Sequence, residues 1–228
     1  MTWQFTDNAK RVRRQVYEEF LHTGHCSNPF QIAKATGLPW TRVITALDEL
    51  ERGVMVMLER DAHSVINKAP PWANFPTPHA VSVDGVQKWY SGCAIEAINI
   101  PYCHPGKLVT IDSSCPHCGD PVTLTLRDGA ILACAPSATV IHMGISPLKW
   151  RHNWIAACAN NSFFPSETHV KEWERLNPQF RGAAVPIKTM REKFNYTNRL
   201  DFERGADSGG EHLLPMLVEL GVAPKEWR

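Results

Sequence analysis

The chain has 228 residues, of which 43% are hydrophobic and 21% are charged, and its formal net charge at pH 7 is +1. This balance is typical of a globular protein with one large domain or two small ones, and it gives no reason to expect a strong polyanion partner or a membrane surface. Because no apolar run approaches the ~20 residues of a membrane helix and the N-terminus lacks a secretory signal, we expect a cytoplasmic protein.

Residues 1–68 are predicted to form a winged-helix-like module. Its elements are, in chain order, a helix from about Asp7 to Gly24, a short helix ending at Gly37, a longer helix ending at Gly53, and a hairpin made by Val54 to Leu58 and Ser64 to Asn67. The glycines are typical helix stops, and the hairpin segments alternate apolar and polar residues. Helix, helix, turn, helix and hairpin is the order of a winged helix.

Two uses of this module stay open. A DNA-binding winged helix would contact DNA through the outward side of the third helix, which here includes Thr41, Arg42, Thr45 and Asp48. Arg42 is nearly the only cation there, and neighbouring acidic residues such as Glu49 oppose phosphate contact. We therefore favour a module that packs against the rest of the chain, and we expect no DNA partner.

A proline-rich connector at residues 69–79 is predicted to separate the module from a second domain, residues 80–228. Its four prolines resist both helix and central strand. The second domain opens with a strand and an Asp-Gly turn that lead into a helix ending at Pro101. Further strands are predicted at Lys107 to Asp112, Pro121 to Leu126, Ala130 to Cys134, Ala138 to Met143 and Ala183 to Ile187. Helices are predicted at Thr168 to Asn177, Thr189 to Tyr196 and Leu213 to Leu220. A loop is predicted from Asn198 to Gly210. The expected fold class is α+β: a helical module, then a mixed domain of antiparallel strands with flanking helices.

The helix expected before Pro101 places Cys93 three residues before Glu96. Residues three apart share a helix face, so the carboxylate can reach the sulfur or whatever the sulfur binds. A thiol needs a base or a positive neighbour to become a thiolate, the form that attacks electrophiles and soft metals. The spacing alone does not decide, because any amphipathic helix can carry a buried cysteine and an exposed glutamate.

Seven cysteines are more than background, and an odd number cannot all pair. In a reducing compartment they stay thiols, which favours metal binding or thiol chemistry. Cys115 and Cys118, in Cys-Pro-His-Cys-Gly between two predicted strands, form half of a zinc knuckle. The residues that could complete a four-ligand site are Cys103, His104, His117 and Cys134. Two interpretations of the pair stay open: a zinc site, or a buried structural cysteine beside a reactive one. A thioredoxin-like redox role is disfavoured because the pair does not begin a helix.

Three segments of the chain resemble the organomercurial (alkylmercury) lyase family. Tyr90 to Pro101 matches the segment of the family's first catalytic cysteine, which assigns that role to Cys93. Glu96 stands where the family usually has Asp.

The other two matching segments also contain cysteines. Ser114 to Leu126 is similar to the family's strand pair around a structural cysteine, matched by Cys115. Ala157 to Phe164 is similar to the second catalytic segment, a cysteine five residues before a Phe-Phe pair, which assigns the second thiol to Cys158.

The resemblance implies cleavage of a carbon–mercury bond by protonolysis, with Cys93, Cys158 and Glu96 as catalytic residues. Glu96 would take the proton of Cys93, whose thiolate attacks mercury, and would return it to carbon after Cys158 adds as second sulfur ligand. The product Hg(II) would stay on the two cysteines, and no organic cofactor would be required. The implied partners are an organomercurial substrate, low-molecular-weight thiols and a mercuric reductase that accepts Hg(II).

Two alternatives stay open beside this function. The N-terminal module and the Cys115/Cys118 pair are compatible with a metal-responsive winged-helix regulator or a thiol metal-binding protein without catalysis. The glutamate at position 96 also leaves room for a lyase-like enzyme acting on another carbon–heteroatom substrate.

Overall fold

Three helices open the chain, which the computed structural model describes over residues 4–59, 65–193 and 213–227. They are α1 (Asp7–Thr23), α2 (Pro29–Thr36) and α3 (Trp40–Arg52). The Thr6 side chain caps α1, and Asn28 and Gln31 form a capping box at the start of α2. Gly24 and Gly37 adopt the left-handed conformation that ends a helix, and Gly53 caps α3 with a φ of −83°, so the three predicted helices and their stops are confirmed.

The helical module buries its apolar face and leaves the predicted outward face in solvent. Val12, Val16 and Phe20 of α1 are fully buried, and so are Leu47 and Leu50 of α3. The outward residues of α3 are exposed, namely Thr41, Arg42, Thr45 and Asp48. The expected absence of a DNA partner stays a prediction.

An eight-stranded antiparallel sheet follows. Its strands are β1 (Met57–Leu58), β2 (Ile66–Ala69), β3 (Trp72–Ala73), β4 (Ala80–Val83), β5 (Val86–Ser91), β6 (Val109–Ser114), β7 (Pro121–Arg127) and β8 (Ala130–Ala135), in the order β1-β2-β3-β5-β4-β6-β7-β8. The predicted hairpin of the module is β1 paired with β2, shorter than expected. Residues 60–64, which include Ser64 of that prediction, lie outside the described residues.

The expectation that the connector holds no central strand is wrong. Trp72 and Ala73 form β3, which pairs with β2 on one side and with β5 on the other. The prolines flank these two residues and do not interrupt them, so both backbone N–H groups remain available to the sheet. The Tyr17 hydroxyl also donates to the Pro70 carbonyl at 3.0 Å, and Phe20 stacks on Trp72. The connector therefore contributes the short strand β3 to the interior of the sheet, while the predicted division into two domains and a connector stays a prediction.

A second sheet of three strands lies beyond the first. Its strands are β9 (Val140–Met143), β10 (Asn161–Phe164) and β11 (Ala183–Pro186), with β9 in the centre. The remaining helices are α4 (Ala94–Ala97), α5 (Trp154–Ala159), α6 (Glu167–Leu176), α7 (Ile187–Lys193) and α8 (Leu213–Glu219). The α+β class and the strands and helices predicted beyond residue 106 are confirmed, except that residues 194–196 of one helix and the loop at 198–210 lie outside the described residues. Within the described residues, none of the helices has the length and hydropathy of a membrane span.

Candidate active site

Cys93 follows a β-strand and precedes a single helical turn. The predicted helix that carries Cys93 and ends at Pro101 is wrong: Ser91 still belongs to β5, α4 is only four residues long, and Pro101 lies in the first turn of a separate 3-10 helix, Ile100–Cys103. Pairing of β5 with β3 and β4 holds Trp89 extended, and its indole N–H donates to the Phe20 carbonyl at 2.6 Å. Cys93 itself is extended, with φ of −164°, and caps α4.

Glu96 remains close to Cys93 despite the shorter helix, because the two are the cap and the third residue of α4. Cys158 comes from α5, whose first turn is capped by the Asn153 side chain. Its Sγ lies 3.9 Å from Glu96 Oε1. The two sulfurs and a carboxylate oxygen all lie within 4.8 Å of one another, and all three residues are at least 95% buried. The structure thus brings together Cys93, Glu96 and Cys158, which we call the dithiol cluster.

The surroundings of Cys93 favour its protonated form. Burial raises the pKa of Cys93 well above its ordinary value, and the hydrogen bond to Cys158 and the negative charge of Glu96 raise it further. The backbone N–H of Glu96 opposes this rise only weakly. Cys93 therefore rests as a thiol at neutral pH and needs a neighbouring base to react, and Glu96 is the carboxylate placed to be that base.

Lys68 is a functional candidate that the sequence analysis missed. It lies on β2, is 92% buried, and its Nζ donates to the Gly92 carbonyl at 3.3 Å. Burial alone would lower the Lys68 pKa, but the charges of Cys158, Glu96 and Cys93 and a hydrogen bond with Cys158 raise it above its usual range. A permanent cation therefore stands beside the dithiol cluster. The available signal was the alternation of β2, in which Lys68 shares a face with the buried Ile66.

Gly92 provides the space that the Glu96 side chain occupies. A Cβ at position 92 would overlap the Glu96 carboxylate and lie 3.1 Å from Lys68 Nζ. Only glycine allows the carboxylate and the ammonium group to approach the backbone this closely.

A cavity of about 400 Å³ opens onto Cys158, Lys68 and Gly92. Its apolar walls include Met57 of β1, Phe75 of the connector and Ile155 of α5. Phe75 and Ile155 are each more than 40% exposed, so the cavity is open to solvent on that side. The arrangement combines an apolar entrance with a buried cluster of sulfur, carboxylate and ammonium groups.

His79 also borders this cavity, and its Nδ1 is 2.9 Å from Ser113 Oγ. Burial, followed by the charge of Lys68, lowers the His79 pKa from 6.5 to about 4. His79 is therefore neutral at pH 7. Between pH 4 and 6.5 its imidazole is protonated in the unfolded chain but not in the folded chain. Protonation of the unfolded chain therefore lowers the free energy of unfolding as the pH falls from 6.5 toward 4, and has no such effect above pH 6.5.

We predict that lowering the pH from 7.5 to 5 costs about 2 kcal/mol of unfolding free energy through His79 alone. The measurement is urea denaturation at the two pH values. Glutamine does not titrate, so over the same pH change the free energy of unfolding of His79→Gln should fall by about 2 kcal/mol less than that of the wild type. Equal pH dependence in the two proteins would show that His79 is not the group responsible.

Cys115 and Cys118 lie in the turn between β6 and β7, as predicted; Cys115 is buried and Cys118 is exposed. The four residues that could complete a metal site do not lie in a group of close ligand atoms with this pair among the described residues. His117 pairs with Glu172 instead, and the Cys134 thiol donates to the Pro136 carbonyl. His104 packs edge-on against Trp89, and Cys103 belongs to no group of close ligand atoms. Cys118 instead forms such a group with Asp120 and His169, within 4.8 Å.

Comparisons with known proteins agree with these features. The alkylmercury lyase (MerB) family model matches residues 73–193, just over half of the chain. An alkylmercury lyase of Bacillus cereus is 31% identical over 103 residues, which cover 45% of this chain and 46% of the relative. One of Pseudomonas putida is 29% identical over 112 residues, covering 49% and 50%. The chain thus spans about half the length of the curated relatives that it matches.

A solved structure shares the fold over most of its length. The crystal structure of the mercury-bound form of MerB2 superposes with a TM-score of 0.66 at 20% identity, and the match covers 87% of this chain and 89% of that one. The family-model match includes Cys93, Glu96, Cys115 and Cys158, whereas Lys68 precedes it. On the strength of that match, the chain belongs to the alkylmercury lyase family.

Proposed function

We propose that this protein cleaves the carbon–mercury bond of organomercurials by protonolysis, with Cys93, Cys158 and Glu96 as catalytic residues. The observation that carries the proposal is the dithiol cluster, in which two buried sulfurs and a carboxylate lie within 4.8 Å of one another. A carbon–mercury bond needs this set, because two soft thiolates bind mercury and one acid supplies a proton to carbon.

The first step forms the sulfur–mercury bonds. Glu96 takes the proton of the Cys93 thiol, and the resulting thiolate attacks mercury and displaces its non-carbon ligand. Cys158 adds as the second sulfur ligand, and its proton leaves with the displaced ligand. The Lys68 ammonium group, hydrogen-bonded to Cys158, stabilises the thiolate form of that cysteine.

The second step breaks the carbon–mercury bond. Electron density from two thiolates makes the mercury-bound carbon basic, and the protonated Glu96 delivers its proton to that carbon. The products are a hydrocarbon and Hg(II) held by Cys93 and Cys158. Glu96 is one methylene longer than the Asp that the family usually has, and the space above Gly92 accommodates this extra length.

The surroundings of the cluster suggest its substrates and partners. The apolar entrance formed by Met57, Phe75 and Ile155 suits a small organic group such as methyl or phenyl. Low-molecular-weight thiols would remove Hg(II) from the two cysteines, and a mercuric reductase would accept it. We expect no organic cofactor to be needed. We place the reaction in the cytoplasm, where a reducing environment keeps the cysteines as thiols.

The proposal is tested by incubating the protein with phenylmercury acetate and excess thiol and measuring benzene by gas chromatography. We expect many equivalents of benzene per protein chain, formed far faster than in a reaction with thiol alone. Benzene formation at the rate of the thiol control, from a folded protein, would contradict the proposal.

Lys68→Met is expected to reduce kcat/KM for phenylmercury about 10- to 100-fold, because the thiolates lose the buried cation that favours them. The limb of the pH–rate profile on which the rate rises with pH should also move to higher pH, because loss of the cation raises the pKa at which the thiolate forms, which a purely structural defect would not cause. The matched control is Lys88→Met on β5, where the lysine is exposed to solvent and the rate should be unchanged. An unaltered pH profile in Lys68→Met would remove Lys68 from the mechanism.

A further inference from the structure

A second group of metal-binding side chains lies where the β6–β7 turn meets the start of α6. The turn is closed by two backbone hydrogen bonds, from Cys115 N–H to the Asp120 carbonyl at 2.8 Å and from Gly119 N–H to the Cys115 carbonyl at 2.9 Å. Gly119 adopts the left-handed conformation that this tight turn requires. The Cys118 thiol is hydrogen-bonded to Cys115 and to Asp120. Both thiols of the Cys-x-x-Cys motif and one carboxylate are thus linked by hydrogen bonds at this turn.

Packing of α6 brings a histidine to the same place. Val170 of α6 packs with Cys115, Val140 and Phe164 in a small apolar cluster apart from the main core. The preceding residue, His169, is therefore held against the turn, with its Nε2 3.7 Å from Asp120 Oδ2. The other ring nitrogen, Nδ1, is 2.9 Å from Ser166 Oγ. A hydrogen bond to the far nitrogen is the device that orients a metal-binding histidine in known sites.

We propose that Cys115, Cys118, Asp120 and His169 form a zinc site that fastens α6 to the β6–β7 turn. Sulfur, nitrogen and carboxylate oxygen in a four-ligand set suit Zn²⁺, whereas Ca²⁺ and Mg²⁺ take oxygen ligands. Ligand atoms of a tetrahedral zinc site lie about 3.3–3.8 Å apart, from bond lengths of about 2.0–2.3 Å. The ligand atoms of Cys118, Asp120 and His169 already lie within 4.8 Å, so a contraction of about 1 Å closes the site. Binding releases the two thiol protons to solvent.

The site is separate from the dithiol cluster in both residues and chemistry. None of its four ligands belongs to the Cys93, Glu96 and Cys158 group. Its role follows from its position, because it joins a turn of the eight-stranded sheet to a helix that packs on the three-stranded sheet. The inference therefore does not depend on the proposed catalytic function.

The test uses the full chain carrying Cys93→Ser and Cys158→Ser, so that the dithiol cluster cannot bind the probe metals. Zinc content is measured by mass spectrometry after gel filtration under reducing conditions, and Co²⁺ replaces zinc for absorption spectroscopy. We expect one ion per chain and an intense near-ultraviolet sulfur-to-cobalt band from two thiolates. Adding Cys118→Ser or His169→Ala should weaken metal binding about tenfold or more.

The added substitutions are suited to this test because Cys118 is exposed and His169 is partly exposed, so neither should prevent folding. Circular dichroism checks this for each variant. Cys134→Ser, which removes a half-buried thiol on β8, is the matched control and should retain full binding. The proposal is overturned by absence of zinc binding, by a cobalt spectrum without the sulfur band, or by unchanged affinity in Cys118→Ser and His169→Ala. Each of these results leaves the proposed carbon–mercury cleavage unaffected.

Discussion

Cys93→Ser and Cys158→Ser are each expected to lower kcat/KM for an organomercurial by roughly 10³-fold or more. A serine hydroxyl ionises far less readily than a thiol and is a poor ligand for a soft metal, so either change leaves mercury with one sulfur ligand. One thiolate does not push enough electron density toward carbon for protonation. The measurement is hydrocarbon release under excess thiol, with substrate concentration varied.

The matched control for these variants is Cys103→Ser. Cys103 is also a buried cysteine outside any disulfide, but it is not part of the dithiol cluster. It should retain the wild-type rate if the effect comes from mercury ligation and not from loss of a buried sulfur. Full activity in Cys93→Ser or Cys158→Ser would exclude that cysteine from the mechanism.

Glu96→Gln is expected to bind organomercury but to release hydrocarbon about 10²- to 10⁴-fold more slowly. Glutamine has nearly the same shape as glutamate, so the two thiols remain in place. Its amide has no acidic proton to transfer to the mercury-bound carbon. The measurement is a single-turnover reaction in which bound phenylmercury and released benzene are followed separately. Glu96→Asp keeps a carboxylate and should retain activity, provided that the shorter side chain still reaches the mercury-bound carbon. Wild-type benzene release by Glu96→Gln would assign the proton to another group.

The local parts of the fold follow from short-range sequence signals. Gly24 and Gly37 mark the ends of α1 and α2 because left-handed backbone stops a helix, and alternation predicts β6 and β7 because one face of each is buried. The error in the helix expected before Pro101 has a long-range cause. The extended backbone of Tyr90 and Ser91 depends on pairing of β5 with β3 and β4, and β3 itself lies in a stretch whose prolines argued against a strand. Sequence periodicity holds no information about such partners.

The candidate site shows the same limit. The pairing of Glu96 with Cys158, 62 residues apart, was predicted only through the family resemblance, because spacing relates residues within one element and not between elements. Lys68 was missed because none of the three segments that specifically resemble the family contains it, although its alternation with the buried Ile66 indicated an inward side chain. The residues that lie near Cys118 also differ from those that the sequence offered, for a related reason. His169 reaches the turn through packing of Val170 on Cys115, which no linear motif records.

The N-terminal part of the chain therefore contributes to the candidate site as well as to the fold. Met57 of β1 and Lys68 of β2 line the cavity, and both lie before the first residue of the family match. The N-terminal module therefore helps to form the cavity, a role that does not involve DNA.

The central claim is that the dithiol cluster both binds the mercury and completes the cleavage. Native mass spectrometry after a single turnover with one equivalent of phenylmercury and no added thiol tests it most directly. We predict one equivalent of benzene and a protein that carries one Hg(II) without the phenyl group, located by peptide mapping on Cys93 and Cys158. A protein that keeps the intact phenylmercury group without releasing benzene, or Hg(II) found on Cys115 and Cys118 after benzene release, would contradict it.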